Sequence, residues 1–163
     1  MSDESGAKEK AKMIDVRLSR IIRREGSMQQ WIFLAERDGP RGFTIVIGAN
    51  EAEEIHRVVT HDDTTRPLTH QLAFNAISAL GGTIEAVDIV RIHKNTFYAE
   101  LVVGVNGSED SKRIDARPSD ALALGLRAGC PIRVAEWVLE EARTDEAGPD
   151  PPPDTPPDTG EAE

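Results

Sequence analysis

Apolar and polar side chains alternate near the start of this chain as a half-buried β-strand requires. From Ile14 to Ser19 every second residue is apolar, and this period of two predicts a strand from Met13 to Arg24. Two further segments, Gln30–Leu34 and Phe43–Ile47, are apolar on both faces, which is typical of strands covered on both sides. The beginning of the chain therefore predicts three strands.

Helical spacing follows the third predicted strand. Asn50 and Glu53 have the spacing of a capping box, so a helix is predicted to begin there. A second helix is predicted to open at Arg66-Pro67 and to end at Gly81-Gly82, because apolar residues recur one turn apart between these signals.

The second half of the chain repeats this order of elements. Strands are predicted at 83–93, 97–105 and 112–115, then a helix at 118–128, a short strand at 132–134 and a helix at 135–142. Both halves thus follow the order βββαα, which suggests an internal duplication, although the Arg-Pro pairs at 66–67 and 117–118 fall at different helices. The predicted fold is α+β: a single compact domain with a mostly antiparallel or mixed sheet and packed helices.

Composition divides the 163 residues into a domain and two polar ends. Residues 1–12 are small and polar, and residues 144–163 hold seven acidic residues, no basic residue and many prolines. Both ends are predicted to be disordered because they lack apolar side chains to bury, which leaves a domain at 13–143. The net charge of −10 resides mainly in the acidic end, and residues 13–143 hold 16 basic against 19 acidic residues. The acidic end is interpreted as a solubilising tail or as a mimic of nucleic acid.

The number of cysteines and the hydropathy of the chain indicate the cellular compartment of the protein. Cys130 is the single cysteine, so no intrachain disulfide can form, as is usual in a reducing cytosol. Residues 1–12 have no apolar core of a signal peptide, and no apolar run is long enough to span a membrane. A cytoplasmic protein without a membrane partner is expected.

Charged residues of the segment 114–124 lie close together in sequence around the start of one predicted helix. Pro118 suits the first turn of that helix, and Asp120 falls where a carboxylate is favoured by the helix dipole. Asp115 and Arg117 lie just before it. Such a cluster is compatible with chemistry and equally with an ordinary helix cap and ion pair, and the spacing alone leaves both open.

Basic residues also recur on the first predicted strand. They are Arg17, Arg20, Arg23 and Arg24. Arginines in a row could follow the phosphates of a nucleic acid, or they could protect the strand edge from aggregation. With 4% aromatic residues, base stacking on an aromatic platform is not expected.

Several motifs together resemble a known family. They are Ser19-Arg20-Ile21-Ile22, Gln29-Gln30, Ile45-Val46-Ile47-Gly48 with Glu51-Ala52, Arg66-Pro67-Leu68-Thr69-His70, and the run from Ile114 through Ala121 to Pro131-Ile132. In this order, over residues 13–143, the chain resembles the bifunctional nuclease (BFN) domain, formerly a domain of unknown function. The resemblance implies a nuclease acting on both DNA and RNA and a compact α+β fold, but it brings no agreed catalytic set.

Phosphodiester hydrolysis requires charge stabilisation at the phosphate and an activated water, and this requirement selects the candidate residues. The candidate catalytic residues are Asp115, Asp120, Arg117, His70 and Arg66. Carboxylates that could hold Mg²⁺ or Mn²⁺ are Asp115, Asp120, Glu51 and Glu54. No zinc-type spacing and no glycine-rich phosphate loop occurs in the sequence, and no organic cofactor is expected.

Two other classes of function remain open: a non-catalytic module that binds nucleic acid or protein, and a small-molecule sensor at the interface of the two halves. A homo-oligomer, most simply a dimer, is expected for two reasons. Ala121, Gly125 and Ala128 form a small-residue face on one helix, and two strands are apolar on both faces.

Overall fold

The computed structural model describes residues 11–143, and the predictions for residues 1–10 and 144–163 lie outside the described residues. Seven strands and four helices follow one another in this range. They are β1 (Met13–Ile22), β2 (Gln29–Glu36), β3 (Gly42–Gly48), α1 (Ala49–Val59), α2 (Thr69–Ala79), β4 (Gly82–His93), β5 (Thr96–Val105), β6 (Lys112–Ala116), α3 (Pro118–Ala128), β7 (Ile132–Ala135) and α4 (Glu136–Ala142). The predicted α+β fold is confirmed.

The strands form one mixed sheet in the order β3-β2-β1-β7-β4-β5-β6. Two antiparallel meanders, β1–β3 and β4–β6, lie on either side of the short strand β7. β7 runs antiparallel to β1 and parallel to β4. The two meanders match the repeated order of strands in the sequence, whereas β7, placed between α3 and α4, has no counterpart in the first half.

The sheet is strongly curled around the core. The ring centroids of Phe43 on β3 and Phe97 on β5 lie 5.4 Å apart, although in a flat sheet strands five positions apart would be separated by about 24 Å. The space between the two arms is filled by apolar side chains from strands and helices. The largest fully buried ones include Phe43, Ile32, Leu34, Ile55, Ile89, Leu122 and Leu139.

Several predicted boundaries are wrong by a few residues. β1 ends at Ile22 rather than Arg24, and α2 begins at Thr69 rather than at Arg66-Pro67. α1 begins at Ala49 with Gly48 as its N-cap, and no side chain caps it. Asn50 therefore lies inside the first turn, and the predicted capping box is wrong.

The small-residue face of α3 packs inside the domain. Ala121 and Gly125 are buried, and a Cβ atom added to Gly125 would overlap the side chain of Val87 on β4. The glycine thus lets the α3 backbone approach the sheet. This face is already covered within one chain, so it offers no argument for a dimer, and the expected homo-oligomer stays a prediction. None of the helices in residues 11–143 is long and apolar enough to cross a membrane.

Candidate active site

Three helices begin at one place in the structure, and each contributes a polar side chain from its first turn. Glu51 is the third residue of α1, His70 the second of α2 and Asp120 the third of α3. None of the three helices has a side-chain cap. Their free N–H groups and positive dipole ends are therefore available to an anion.

Direct contacts join these side chains to one another and to Arg117, the N-cap residue of α3. His70 Nε2 lies 2.8 Å from Asp120 Oδ1. Arg117 donates from Nε to Asp120 Oδ2 at 2.7 Å and from Nη2 to Asp120 Oδ1 at 3.1 Å. The same Nη2 lies 3.3 Å from Glu51 Oε1. Glu51, His70, Arg117 and Asp120 are called the three-helix cluster below.

The ionisation of Asp120 is governed by its hydrogen-bond partners Arg117 and His70. Partial burial opposes the charged form of its carboxylate, but hydrogen bonds from Arg117 and His70 outweigh this effect and lower its pKa below the usual value. The same carboxylate raises the pKa of Arg117. Asp120 is thus held as an anion beside the histidine ring.

The cluster is open to solvent on one side. The Arg117 side chain is 65% exposed, and its Nη1 takes part in no hydrogen bond among residues 11–143. A guanidinium carries five N–H donors, so the Nη1 pair remains for a phosphate oxygen. His70 is 21% exposed, so part of its ring is accessible from solvent.

Two of the predicted site residues have no contact with this cluster. Arg66 is exposed in the loop before α2, and its side chain makes no ion pair or hydrogen bond within the described residues. Asp115 is exposed on β6, directly opposite Glu100, which itself lies opposite Asp88. Since Val87 faces α3, Asp88 and its cross-strand neighbours point to the other face of the sheet. Asp115 is therefore on a different surface from the three-helix cluster.

Glu54, a predicted metal ligand, instead bridges two helices. It is 4% exposed and accepts hydrogen bonds from Arg57 at 2.7 Å and from Arg127 on α3 at 3.0 Å. Arg127 also contacts Gln71 of α2. The carboxylate thus ties α1 to α3, and through Arg127 to α2, directly behind the cluster.

The donors present do not fit a divalent cation in the observed arrangement. Within residues 11–143 no three His, Cys, Asp or Glu side chains are grouped so that they could hold a metal ion. Both oxygens of Asp120 and both oxygens of Glu54 are engaged by cations or by His70. The expected Mg²⁺ or Mn²⁺ ion remains a prediction, and no catalytic step below is assigned to it.

All four members of the cluster are among the candidates that the sequence suggests, but only one of their contacts follows from residue spacing. Arg117 and Asp120 are three residues apart on one helix start, a spacing that predicts contact. His70 and Asp120 are 50 residues apart, and no local signal links them. The shared feature that would have found the pair is position: each of Glu51, His70 and Asp120 lies at the start of a predicted helix.

Fold and cluster together define an α+β domain with a polar site built on helix N-termini. A model of the bifunctional nuclease domain matches residues 32–147, which is most of the chain. The chain belongs to the bifunctional nuclease domain family. It is also similar to two uncharacterized proteins of Mycobacterium tuberculosis, MT1877 of strain CDC 1551 / Oshkosh and Rv1829 of strain ATCC 25618 / H37Rv. Each is 38% identical over 130 residues, which cover 80% of this chain and 76% of the relative.

Proposed function

We propose that this protein is a nuclease that hydrolyses phosphodiester bonds of DNA and RNA, and that the three-helix cluster is its active site. The observation that carries the proposal is the His70–Asp120 pair, placed where three uncapped helix N-termini meet. Membership of the bifunctional nuclease domain family supports the same class of reaction.

The proposed mechanism begins with the phosphate. Its oxygens bind at the free N–H groups of the helix starts and at Nη1 of Arg117, which together offset the charge that develops in the transition state. Arg66, exposed on the loop before α2, lies just ahead of His70 in the sequence and is proposed to hold a neighbouring phosphate.

His70 is proposed to move the proton. Its Nε2 is engaged by Asp120, so Nδ1 is the nitrogen that faces the substrate. In this role Nδ1 takes a proton from the attacking water, and solvent protonates the leaving oxygen on the opposite side of the phosphorus. Asp120 orients the ring and stabilises its protonated form, as the carboxylate of a catalytic triad does. Because water is the nucleophile, the reaction needs no 2′-hydroxyl and serves DNA and RNA alike.

A first experiment compares the full chain with three variants of the proposed site. His70→Gln keeps a donor for Asp120 but cannot transfer a proton, and Asp120→Asn removes the charge that orients the ring. Each is expected to lower cleavage of a plasmid and of an RNA by about 10²- to 10⁴-fold. Arg117→Ala is expected to raise KM as well as lower kcat, because it removes a phosphate contact.

The matched control is Asp110→Asn, a carboxylate in the exposed loop between β5 and β6, which should cleave like the unaltered chain. All variants are purified in the same way, so a contaminating nuclease would appear in every sample. Full activity of both His70→Gln and Asp120→Asn would contradict the proposed site. Dialysis against EDTA, followed by return of Mg²⁺ or Mn²⁺, tests the predicted cation separately.

The non-catalytic alternative makes a different prediction for the same variants. A module that only binds phosphate would show no cleavage in any sample, and its nucleic-acid affinity would depend on Arg117 but not on the proton-transfer capacity of His70. Fluorescence anisotropy with a labelled oligonucleotide therefore distinguishes the two functions.

A further inference from the structure

A cavity of the described chain lies away from the three-helix cluster. It has a volume of about 510 Å³ and is lined by Arg17, Arg20 and Arg37 together with an apolar floor that includes Leu18, Leu126 and Cys130. Leu126 is in the last turn of α3, whereas Asp120 is in the first turn, so the two sites are separated by about 9 Å along this helix. This cavity is called the arginine pocket.

We propose that the acidic C-terminal segment, residues 144–163, docks in the arginine pocket of its own domain. The proposal concerns an interaction surface and does not depend on the proposed nuclease function. Three observations carry it: the charge of the pocket, the sequence of the segment and the contacts that link the last described helix to the pocket rim.

The charge of the pocket favours an acidic occupant. None of its lining residues is acidic. The side chains of Arg17 and Arg37 form no ion pair or hydrogen bond with any other described residue. Guanidinium groups bind carboxylates through paired, charge-assisted hydrogen bonds, so the pocket rim offers donors that the described domain leaves unused.

The sequence of the segment complements both parts of the pocket. Its carboxylates alternate with prolines in the run Asp150-Pro-Pro-Pro-Asp154-Thr-Pro-Pro-Asp158. The carboxylates match the arginine rim, and the proline rings match the apolar floor. Proline-rich segments bind apolar grooves at a low entropic cost because their backbone is already restricted.

A run of contacts links the last described helix, α4, to the residue that precedes Arg37 at the pocket rim. Glu140 in α4 contacts Arg41, and Arg41 also binds Glu36, at 2.7 Å. Arg37, at the pocket rim, follows Glu36 directly. Asp150 is only seven residues beyond Arg143, a stretch that spans up to about 23 Å when extended. The proposed docking requires only that this stretch span the distance from Arg143 to the pocket.

The edge of β1 at the pocket is also uncovered. β7 pairs with β1 only over Met13–Val16, and the pocket follows the next part of β1, residues 17–21. A second copy of the same edge would place like charges together, since Arg17 and Arg20 would face their own counterparts. Charge complementarity therefore selects the acidic segment over a second β1 strand.

Cys130 provides a direct test, because it lines the pocket and is the only cysteine in the chain. The rate at which a neutral maleimide modifies Cys130 is measured in the full chain and in a chain ending at Arg143. A tethered segment whose millimolar effective concentration equals its dissociation constant is expected to slow modification about twofold. Both rates are measured at physiological salt, which screens any long-range effect of the deleted charges on the modification of Cys130.

Matched variants separate docking from other causes. Replacing the seven acidic residues of the segment by Asn and Gln should remove the protection while keeping the chain length. The double variant Arg17→Ala/Arg37→Ala should bring the modification rate of the truncated chain and that of the full-length chain together, so that their ratio falls toward one. Arg91→Gln, on β4 outside the pocket, should keep that ratio.

Two outcomes would overturn the proposal. Equal rates for the full, truncated and neutralised chains would show that the segment does not occupy the pocket. Protection that increases with protein concentration would show that the occupant comes from another copy, which contradicts docking within one chain.

Discussion

At the scale of single residues, Asp120 illustrates how one carboxylate is fixed by an arginine and a histidine. Arg117 reaches it from the residue that caps the same helix, and His70 reaches it from α2. Because its pKa is lower in the folded protein than in the unfolded chain, the unfolded chain binds a proton more readily. The stability that this carboxylate contributes is therefore present above about pH 4 and is lost as the pH falls through the folded-state pKa.

Asp120→Asn should make this contribution measurable. At neutral pH the variant is expected to lose about 1 kcal/mol of unfolding free energy, since charge-assisted hydrogen bonds of a partly exposed group are lost. As the pH falls below about 4 the difference from the unaltered chain should shrink, because protonation of Asp120 in the unfolded chain progressively removes the stability that the native carboxylate contributes. Urea unfolding across this pH range measures it. A difference that is independent of pH would show that Asp120 contributes through packing rather than charge.

The sequence predicts residue-scale contacts only where they are local. The contact of Arg117 with Asp120 follows from their spacing on one helix start. The contacts of Asp120 with His70 and of Arg127 with Glu54 join segments 50 and 73 residues apart. These contacts depend on where whole helices are placed, so no rule of residue spacing along the sequence predicts them. Glu54 was interpreted as a metal ligand because sequence shows its charge but not its partners.

At the scale of elements, Glu54 holds α1 against α3. Glu54→Ala is expected to cost about 2–4 kcal/mol of unfolding free energy, because it leaves Arg127 and Arg57 partly buried without their shared carboxylate. Glu53→Ala is the matched control. It removes the neighbouring glutamate, whose side chain is 46% exposed and pairs with Arg23 and, at 3.9 Å, with Arg57, and should cost less than about 1 kcal/mol. Equal losses in urea unfolding would contradict the structural role of Glu54.

Close packing of α3 on the sheet gives a second element-scale prediction. Gly125→Ala should lower the unfolding free energy by about 1–3 kcal/mol, because the added methyl group overlaps buried Val87. Alanine is the better helix former by up to about 1 kcal/mol, but this gain does not relieve the overlap. Combining Gly125→Ala with Val87→Ala tests the cause: the double variant should be more stable than the two separate losses predict.

Periodicity predicted the type and order of elements because each strand or helix has its own pattern of burial. It did not predict their arrangement in the sheet. β7 is only four residues long and pairs with β1 and β4 rather than with its neighbours in sequence. The start of α1 was misplaced because Asn50 has a good capping side chain, whereas the backbone already turns into the helix at Ala49.

At the scale of the whole molecule, assembly remains to be measured. The small-residue face of α3 is covered, but Met28 and Val46 are 80% and 53% exposed, and Val46 lies directly opposite Trp31 in the pairing of β2 with β3. We expect a homodimer that buries this apolar surface. Sedimentation at micromolar concentration should give twice the chain mass, and Val46→Lys should reduce the measured mass to that of a single chain. A monomer in the unaltered chain would contradict the expectation.

The pairing of β1 with β7 has a consequence for synthesis on the ribosome. Met13 pairs with Ala135, so the two central neighbours of the sheet come from positions about 120 residues apart. The first meander can form its local hairpins while the chain is emerging, but its inner edge stays unpaired until the second half is complete. A nascent chain released before residue 132 would expose the edges of both meanders, so premature termination should yield aggregates rather than a smaller folded domain.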